Sequence, residues 1–270
     1  MPTTSPQGSI AGPVPPHADF LFLDVVEGRS ESAARELAAV EIGDHVIVGV
    51  GGLALKGFEG GSIEMPHTPT DLFIRISGAD PGQVLHRARA LLKDLPSFEV
   101  VDRVAGFAYA DSRDLTGFVD GTENPTGTHA LEVAFQPDGS SIAVVQRWAH
   151  DLDAFSARTP PEQNRAIGRD KETNEELEDA PPTAHIKRTE QESFDPEAFL
   201  LRRSMPWRDH RGMGLVFLSF SATLDPFSAQ LRRMVGAEDG LVDGLFAFTT
   251  PVTGAVYRCP PIRRGRLVLS

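Results

Sequence analysis

The run GFVDGTENP, residues 117–125, places an acidic side chain inside a glycine-rich bend. Gly, Asn and Pro are typical of turns because they supply positive or fixed φ angles. A surface turn does not need the apolar Phe118 and Val119 that precede Asp120, so we expect the bend to begin in the protein interior. A buried carboxylate is costly unless it is paired or used in a reaction. Asp120 is therefore a candidate catalytic residue, and a plain turn-forming aspartate is the alternative.

His185, in the stretch DAPPTAHIKRTE, is the second candidate. A neutral imidazole is a common metal ligand. None of the eight histidines forms a His-x-His or His-x-x-x-His pair, so the sequence does not predict a metal held by a helical cluster of histidines. A single histidine suits a metal that brings its other ligands with it, as haem iron does. A surface-loop histidine and the Asp/His site of a mononuclear metal hydrolase are the open alternatives.

Two arginines follow an apolar run in FLLRRSMPW, residues 199–207. A guanidinium in an apolar pocket keeps its charge and can stabilise an anion that develops there, so Arg202 and Arg203 are candidates for that role. The alternative is a basic patch that pairs with the acidic surface. Cys259 could supply a thiolate to haem, but this residue before two prolines is more typical of a small buried side chain.

Composition excludes several classes of protein. The chain has 270 residues, a formal net charge of −12 and a pI of about 5.1, which disfavours binding to nucleic acids and to anionic membranes. The single cysteine excludes an internal disulfide and a cysteine-based zinc site. The Pro-rich leader, residues 1–18, lacks the regions of a signal peptide, and no apolar stretch is long enough to span a membrane. We predict a cytoplasmic protein.

The elements that must position these residues begin with strand, helix, strand, strand, helix, strand over residues 20–107. The strands are predicted at DFLFLDVV, DHVIVGVGG, DLFIRISG and FEVVDRVAGF, and the helices at SESAARELAAV and DPGQVLHRARALLKDL. Each helix begins at a Ser or Asp that can cap it, and its apolar residues recur at helical spacing. This order is that of a ferredoxin-like unit.

The second half repeats the pattern less clearly. Strands are predicted at SIAVVQRWAH, MGLVFLSFSA and GAVYRCPP, and helices at DLDAFSA, PPEQNRAIGRD and DPFSAQLRRMV. A polar loop, RDKETNEELEDAPPT, is inserted before His185. We predict an α+β fold of two ferredoxin-like halves, residues 19–112 and 113–270, with antiparallel sheets flanked by helices and the candidate site in the second half.

Together these motifs resemble the dye-decolorising peroxidases. GFVDGTENP is similar to the family's signature, and AHIKRT, LLRRSMPW and FAFTTPVTGAVYRCPP follow in the family's order, so that the resemblance covers about residues 20–262. The short length is similar to the bacterial B-type subclass. The resemblance implies two ferredoxin-like halves and a haem b cofactor. It also implies an enzyme that reduces hydrogen peroxide and oxidises small donors such as phenols and dyes through a ferryl intermediate.

The resemblance also assigns roles to residues of this chain. Asp120 would be the distal acid, His185 the proximal iron ligand and Arg202 the distal arginine. The remaining cofactor-binding residues would be Gly121 and Thr122 at the haem edge, Arg188 at a propionate, and Ser204 beside Arg202.

Two positions depart from the family pattern. Ser204 stands where some relatives have Asn, which weakens a second distal hydrogen-bond donor. Ala247 stands where the register of FAFTTPVTG places an Asp that would bind the proximal histidine and increase its electron donation to iron. A backbone carbonyl or Asp243 are the candidates to replace it.

The partners expected from the resemblance are peroxide, small electron donors and further copies of this chain, with no nucleic acid and no membrane. Some relatives are packed inside encapsulin shells by a C-terminal tail, but the short tail IRRGRLVLS does not support that partner here. The alternative function is a haem-binding or haem-handling protein with incidental peroxidase activity.

Overall fold

The structure is a computed structural model that describes residues 4–54 and 61–269. The first three residues of the predicted leader and the final residue of the predicted tail lie outside the described part. The N-terminal half contains the elements predicted from sequence, preceded by one short helix. Its helices and strands are α1 (Gly8–Ala11), β1 (His17–Val25), α2 (Ser30–Ala39), β2 (Val46–Leu53), β3 (Leu72–Gly78), α3 (Pro81–Lys93) and β4 (Phe98–Phe107).

The C-terminal half contains the predicted elements and two longer ones that the sequence did not indicate, α4 and β7. In chain order the elements are α4 (Gly127–Ala134), β5 (Ser141–His150), α5 (Leu152–Ser156), α6 (Pro160–Ile167), α7 (His185–Arg188), β6 (Leu201–Arg202), β7 (Met205–Asp209), β8 (Gly212–Ser221), α8 (Asp225–Met234), β9 (Thr249–Cys259), β10 (Ile262–Arg263) and β11 (Arg266–Leu267). Pro206 concealed β7, because proline is uncommon inside strands.

Local capping explains where α3 and α6 begin, whereas α2 has Arg29 before its first residue, the predicted cap Ser30, and no side-chain capping bond. Asp80 accepts a hydrogen bond from the Gln83 backbone N–H, and Pro81 starts α3. Thr159 and Glu162 form a capping box at the start of α6, and Gly168 ends that helix with a φ of +98°. The chain then turns into the polar loop that was predicted before His185.

A single antiparallel sheet joins the two halves. Nine strands pair in the order β5-β9-β2-β3-β1-β4-β7-β8-β6, and β5 also pairs with β8, so the sheet closes on itself. Within this order, β4-β1-β3-β2 in the first half matches β9-β5-β8-β7 in the second. The predicted α+β class, with antiparallel strands flanked by helices, is confirmed.

Alternate side chains of the strands fill the interior of the closed sheet. The largest side chains in this interior are Phe20, Phe73, Trp207, Phe220 and Tyr257. The outer faces are covered by helices: α2 and α3 cover the first half, and α8 covers part of the second. Within the described part of the chain, no helix is long and apolar enough to cross a membrane.

Residues 4–16, which were predicted as part of a Pro-rich leader, pack against the sheet. The buried Gln7 amide binds Val48 at both its N–H and its carbonyl, each at 2.8 Å, and it also donates to the Pro260 carbonyl. Ile10 is buried in the core. The polar composition of the segment concealed these two anchors, and β1 begins at His17, inside the predicted leader.

Candidate functional site

A cavity lies in the C-terminal half between the sheet and helices α6, α7 and α8. Its walls are largely apolar and include Ile167, Leu215, Phe217, Phe227, Leu231, Met234, Leu245 and Phe248. The structure brings most of the predicted site residues together in its lining: Asp120, Gly121, Thr122, His185, Arg202 and Ser204. A mostly apolar cavity with a few convergent polar groups is the usual form of a cofactor or ligand site.

Asp120 is held in the cavity wall by the bend that the sequence singled out. Gly117 and Gly121 have φ angles of +90° and +80°, which glycine adopts without strain. The Asp120 backbone N–H donates to the Ser112 carbonyl at 2.8 Å. Burial raises the pKa of the Asp120 carboxyl above its usual value, the positive charge of Arg202 opposes this rise, and the negative charge of Asp114 adds to it. The carboxyl therefore keeps its proton to a higher pH than an exposed aspartate does.

The end of the same bend fixes the position of Arg202. Asn124 Oδ1 accepts the Arg202 backbone N–H at 2.7 Å, and Asn124 Nδ2 donates to the Arg202 carbonyl at 3.1 Å. β8 pairs with one edge of β6. The two bonds from Asn124 satisfy the backbone groups at the opposite edge, as a neighbouring strand would. One amide side chain thus joins the Asp120 bend to the strand that carries Arg202.

The two neighbouring arginines differ in their surroundings. Arg202 lines the cavity, and its Nε is buried without a hydrogen-bond partner among the described residues. Arg203 instead donates from Nε to the Gly12 carbonyl at 2.6 Å and from Nη2 to the Ala11 carbonyl at 3.1 Å. Arg203 therefore holds the N-terminal segment, whereas the guanidinium of Arg202 is directed to the cavity.

His185 begins α7 and is oriented by a buried carboxylate. Its Nδ1 lies 2.8 Å from Oδ2 of Asp243, whose other oxygen accepts the Leu245 backbone N–H at 2.8 Å. The side chain of Asp243 is fully buried, while 28% of the His185 side chain is exposed within the cavity. Because Nδ1 is hydrogen-bonded to Asp243, Nε2 is the ring nitrogen that can bind a ligand.

The sequence lacks the expected carboxylate partner of His185 at position 247, but the structure supplies one from Asp243. Asp243, four residues earlier, is the partner of His185, and the Ala247 carbonyl accepts a hydrogen bond from Arg158. Aligning FAFTTPVTG with the family pattern placed the expected carboxylate at position 247. In the structure the carboxylate comes four residues earlier, because a short 3₁₀ turn, Gly244–Ala247, separates Asp243 from β9. Of the two replacements considered from sequence, the carboxylate is the one that the structure contains.

Arg188 does not have the environment that the resemblance implied. Its buried guanidinium binds both carboxylate oxygens of Asp239, at 2.8 and 2.7 Å, and also the Arg233 carbonyl at 2.6 Å. It is not part of the cavity lining. Arg188 therefore tethers α7 to the segment after α8, and its assignment to a haem propionate stays a prediction.

Cys259 is likewise outside the cavity lining. It lies in the interior of the closed sheet, and burial raises the pKa of its thiol to about 12, so the thiolate alternative has no support.

Several polar residues of the cavity were missed by sequence reasoning. Arg169 lines it and binds Glu123 and Glu176, at 2.7 and 2.8 Å. Asp114 and His150 also line it and contact each other at 3.0 Å. The sequence signal for this pair was only the histidine that ends the predicted strand SIAVVQRWAH, and a histidine at a strand end has no distinctive spacing.

The donor set constrains the kind of metal that His185 could bind. Within residues 4–54 and 61–269, no group of three or more His, Cys, Asp or Glu side chains is placed to hold a metal ion. A metal at Nε2 must therefore bring its other ligands with it. An iron porphyrin does so, and it also fits the apolar walls and the partnerless guanidinium nitrogen of Arg202.

Comparisons with known proteins agree with these features. The family model described as Dyp-type peroxidase, C-terminal, matches residues 111–264. A dye-decolorizing peroxidase of Mycolicibacterium paratuberculosis is 31% identical over 97% of this chain and 85% of its own length. One from Mycobacterium tuberculosis is 34% identical over 73% of this chain and 63% of its own length. This chain thus spans somewhat less than two thirds of the second relative.

Solved structures match over nearly the whole chain. A putative Dyp-type peroxidase from Shewanella oneidensis superposes with a TM-score of 0.85, at 29% identity over 97% of each chain. A DypB variant from Rhodococcus jostii RHA1, in complex with heme, superposes with a TM-score of 0.84, at 29% identity over 95% of this chain and 96% of that one.

Proposed function

The chain belongs to the dye-decolorizing peroxidase family, a family of haem peroxidases, and from this premise we propose that its cavity binds haem b through His185 and activates hydrogen peroxide with Asp120 and Arg202. One observation carries the proposal. Asp120, Arg202 and an oriented histidine with a free Nε2 line the same largely apolar cavity of the C-terminal half, residues 113–270.

The residues around the cofactor have separate tasks. Haem supplies the redox chemistry when it is bound. His185 Nε2 binds the iron, and the Asp243 carboxylate fixes the ring orientation and increases the electron donation of the imidazole. Gly121 and Thr122 form part of the edge of the pocket, and Gly121 lets the backbone approach closely because it has no side chain.

Asp120 and Arg202 act on the peroxide itself. An ionised Asp120 carboxylate would accept a proton from one oxygen of hydrogen peroxide and return it to the other oxygen, which would leave as water; the two electrons that this O–O cleavage requires would come from the bound haem. The fixed charge of Arg202 stabilises the negative charge that develops during this transfer. Of the two, we assign the larger contribution to Arg202.

The electron donors are small molecules such as phenols and dyes that can reach the cavity. We place the enzyme in the cytoplasm, in keeping with its single buried cysteine, and we expect it to form homo-oligomers.

Two measurements on the purified protein test this function. A strong Soret band that persists through purification is expected of a haem protein, and its absence after supplementation with haem would contradict the proposal. Sustained turnover of hydrogen peroxide with a phenolic dye is expected of a peroxidase. Haem binding with negligible turnover would instead identify a haem-handling protein.

A further inference from the structure

The cavity contains a second acid–base pair that the proposed chemistry does not use. Asp114 Oδ1 lies 3.0 Å from His150 Nε2, and both residues line the cavity that contains Asp120. The exposed fractions of the two side chains are 15% and 6%. His150 is the last residue of β5, whereas Asp114 lies six residues before Asp120 in the loop that leads to the GFVDGTENP bend.

Counting hydrogen-bond donors indicates how many protons this pair holds. The Thr249 hydroxyl is 2.7 Å from His150 Nδ1 and 3.1 Å from the Ala149 carbonyl. A hydroxyl has one proton, and the carbonyl can only accept it. Both contacts are therefore satisfied together when Nδ1 donates to the Thr249 oxygen. The contact of Nε2 with Asp114 then requires a second proton between these two atoms.

The surroundings of Asp114 favour the ionised carboxylate. Its Oδ2 accepts hydrogen bonds from the Thr116 backbone N–H at 2.9 Å and from the Thr116 hydroxyl at 2.6 Å. Burial by itself would raise the pKa of Asp114, but the hydrogen bond and charge of His150, together with the bonds from Thr116, outweigh it and lower the pKa. The donor count and the two bonds from Thr116 thus assign the shared proton to Nε2, with the Asp114 carboxylate as its acceptor.

The pair is connected to Asp120 through the backbone of the loop. The Asp114 N–H donates to the Phe118 carbonyl at 2.9 Å, and the Gly117 N–H donates to the Asp114 carbonyl at 2.8 Å. His150 on β5 and Thr249 on β9 thus anchor the turn that leads directly to Asp120.

Charges from several elements act on this region. Arg202 on β6 favours the ionised form of Asp120, whereas the Asp114 carboxylate disfavours it. The Lys171 ammonium lies over the rings of Phe118 and Phe155, and the Arg113 guanidinium binds the carbonyls of Gly117 and Lys171. Of the groups named here, Asp114 is the one that carries a negative charge, and it lies in the same chain segment as Asp120.

We propose that His150 and Asp114 form a partly buried ion pair that positions the Asp120 loop and sets the pH range over which Asp120 gives up its proton. The Asp120 part of this inference rests on the proposed function. Asp114 and His150 are positioning residues, because they act on peroxide through Asp120.

Two variants test the effect on Asp120 through the acid limb of the pH profile of kcat/KM for peroxide. Asp114→Asn removes the repelling charge, so the acid limb is expected to move to lower pH, by on the order of one unit. His150→Gln removes the compensating positive charge while keeping a donor for Asp114, so the limb is expected to move to higher pH. Shifts in the same direction, or lower rates with an unmoved limb, would overturn the proposal.

A matched control removes a buried carboxylate far from the cavity. Asp19 on β1 is buried and paired with Arg103, and neither residue lines the cavity. Asp19→Asn is expected to leave the acid limb in place, and a shift like that of Asp114→Asn would show that the effect is not specific to the cavity and would overturn the proposal.

A second measurement is independent of turnover. Nitrogen-15 NMR of histidine-labelled full-length protein carrying diamagnetic zinc protoporphyrin, assigned with His150→Gln, reports the protons on each ring nitrogen. Both nitrogens of His150 are expected to be protonated at neutral pH, and a neutral ring would overturn the ion pair. If Asp120→Ala keeps the acid limb, the role proposed for Asp120 fails, while the NMR result still decides the ion pair.

Discussion

The two halves of the molecule use the same strand order but cover their sheet faces differently. In the first half, β1 and β3 are packed beneath α2 and α3 by Leu, Ile and Val side chains, and all seven residues of β3 are buried. In the second half, the outer face of β5 changes along the strand. Ile142 and Val144 pack in the cluster beneath α8, whereas Gln146, Trp148 and His150 line the cavity.

This difference shows where the fold leaves room for chemistry. Apolar alternation and helix packing are sufficient to cover the first half. In the second half, the segment that carries His185 and the Asp120 bend cover the part of the sheet that a second helix would otherwise cover. The cavity lies between these segments and the sheet. Substitutions in the two halves should therefore have separable effects on stability and on cofactor chemistry.

The largest expected effect is the loss of haem from His185→Ala. Nε2 of His185 is the proposed protein ligand to iron, and both ring nitrogens of His150, the other histidine of the described cavity lining, are bound to Thr249 and Asp114. The ratio of Soret to protein absorbance measures haem content. His129→Ala, which changes an exposed histidine outside the cavity, should keep full occupancy. Full occupancy and an unchanged spectrum in His185→Ala would refute the assignment.

Asn124→Ala should slow the reaction with peroxide while haem content stays normal. The substitution removes the two hydrogen bonds from Asn124 to the Arg202 backbone, and a displacement of a catalytic group by ~1 Å can cost roughly 10²-fold in rate. Stopped-flow absorbance measures the rate, and the thermal midpoint Tm shows whether folding is intact. An unchanged rate would mean that β8 alone positions Arg202.

Asp243→Asn should weaken the histidine side of the site. The amide keeps the shape of the side chain but not the negative charge beside His185 Nδ1, and the loss of such a partner typically costs about 10–100-fold in metal affinity or activity. Haem transfer to apomyoglobin measures the change in affinity. Asp239→Asn, which removes the carboxylate bound to Arg188, is the matched control and should retain haem more tightly than Asp243→Asn does.

The smallest effect on chemistry is expected in the first half. Leu23→Ala empties part of the core beneath α2 and α3 and should lower the free energy of unfolding by about 2–5 kcal/mol. The haem spectrum and the peroxide rate of the folded fraction should not change. Leu231→Ala, at an equally buried leucine that lines the cavity, should affect both stability and haem retention. Equal haem loss in the two variants would contradict the separation of the halves.

The sequence predicted the strands and helices of the first half well, because their signals are local. The same holds for Asp120, His185 and Arg202, which lie in distinctive motifs and line one cavity. It named Asp243 only as one of two candidate partners of His185, and it did not predict the bonds between Asn124 and Arg202. Asp243 is 58 residues from His185, and Asn124 is 78 residues from Arg202, so these contacts depend on how the closed sheet brings distant segments together. The bond between Arg188 and Asp239, 51 residues apart, was not predicted for the same reason.

Stopped-flow reaction with hydrogen peroxide in Arg202→Leu, Asp120→Ala and the control Arg203→Leu tests the central claim most directly. We expect the largest loss in Arg202→Leu and a loss of up to ~10²–10⁴-fold in Asp120→Ala if proton transfer limits the rate. Because burial raises the pKa of Asp120, the part of the rate that depends on it should increase as pH rises through that raised value and the carboxyl ionises. Arg203→Leu should react at close to the wild-type rate, because Arg203 binds the N-terminal segment and Asn124 still holds the Arg202 backbone when the bond from Arg203 to the Arg202 carbonyl is lost. A collapse in Asp120→Ala with a near-wild-type rate in Arg202→Leu would reverse the relative contributions, and near-wild-type rates in both would contradict the proposed site.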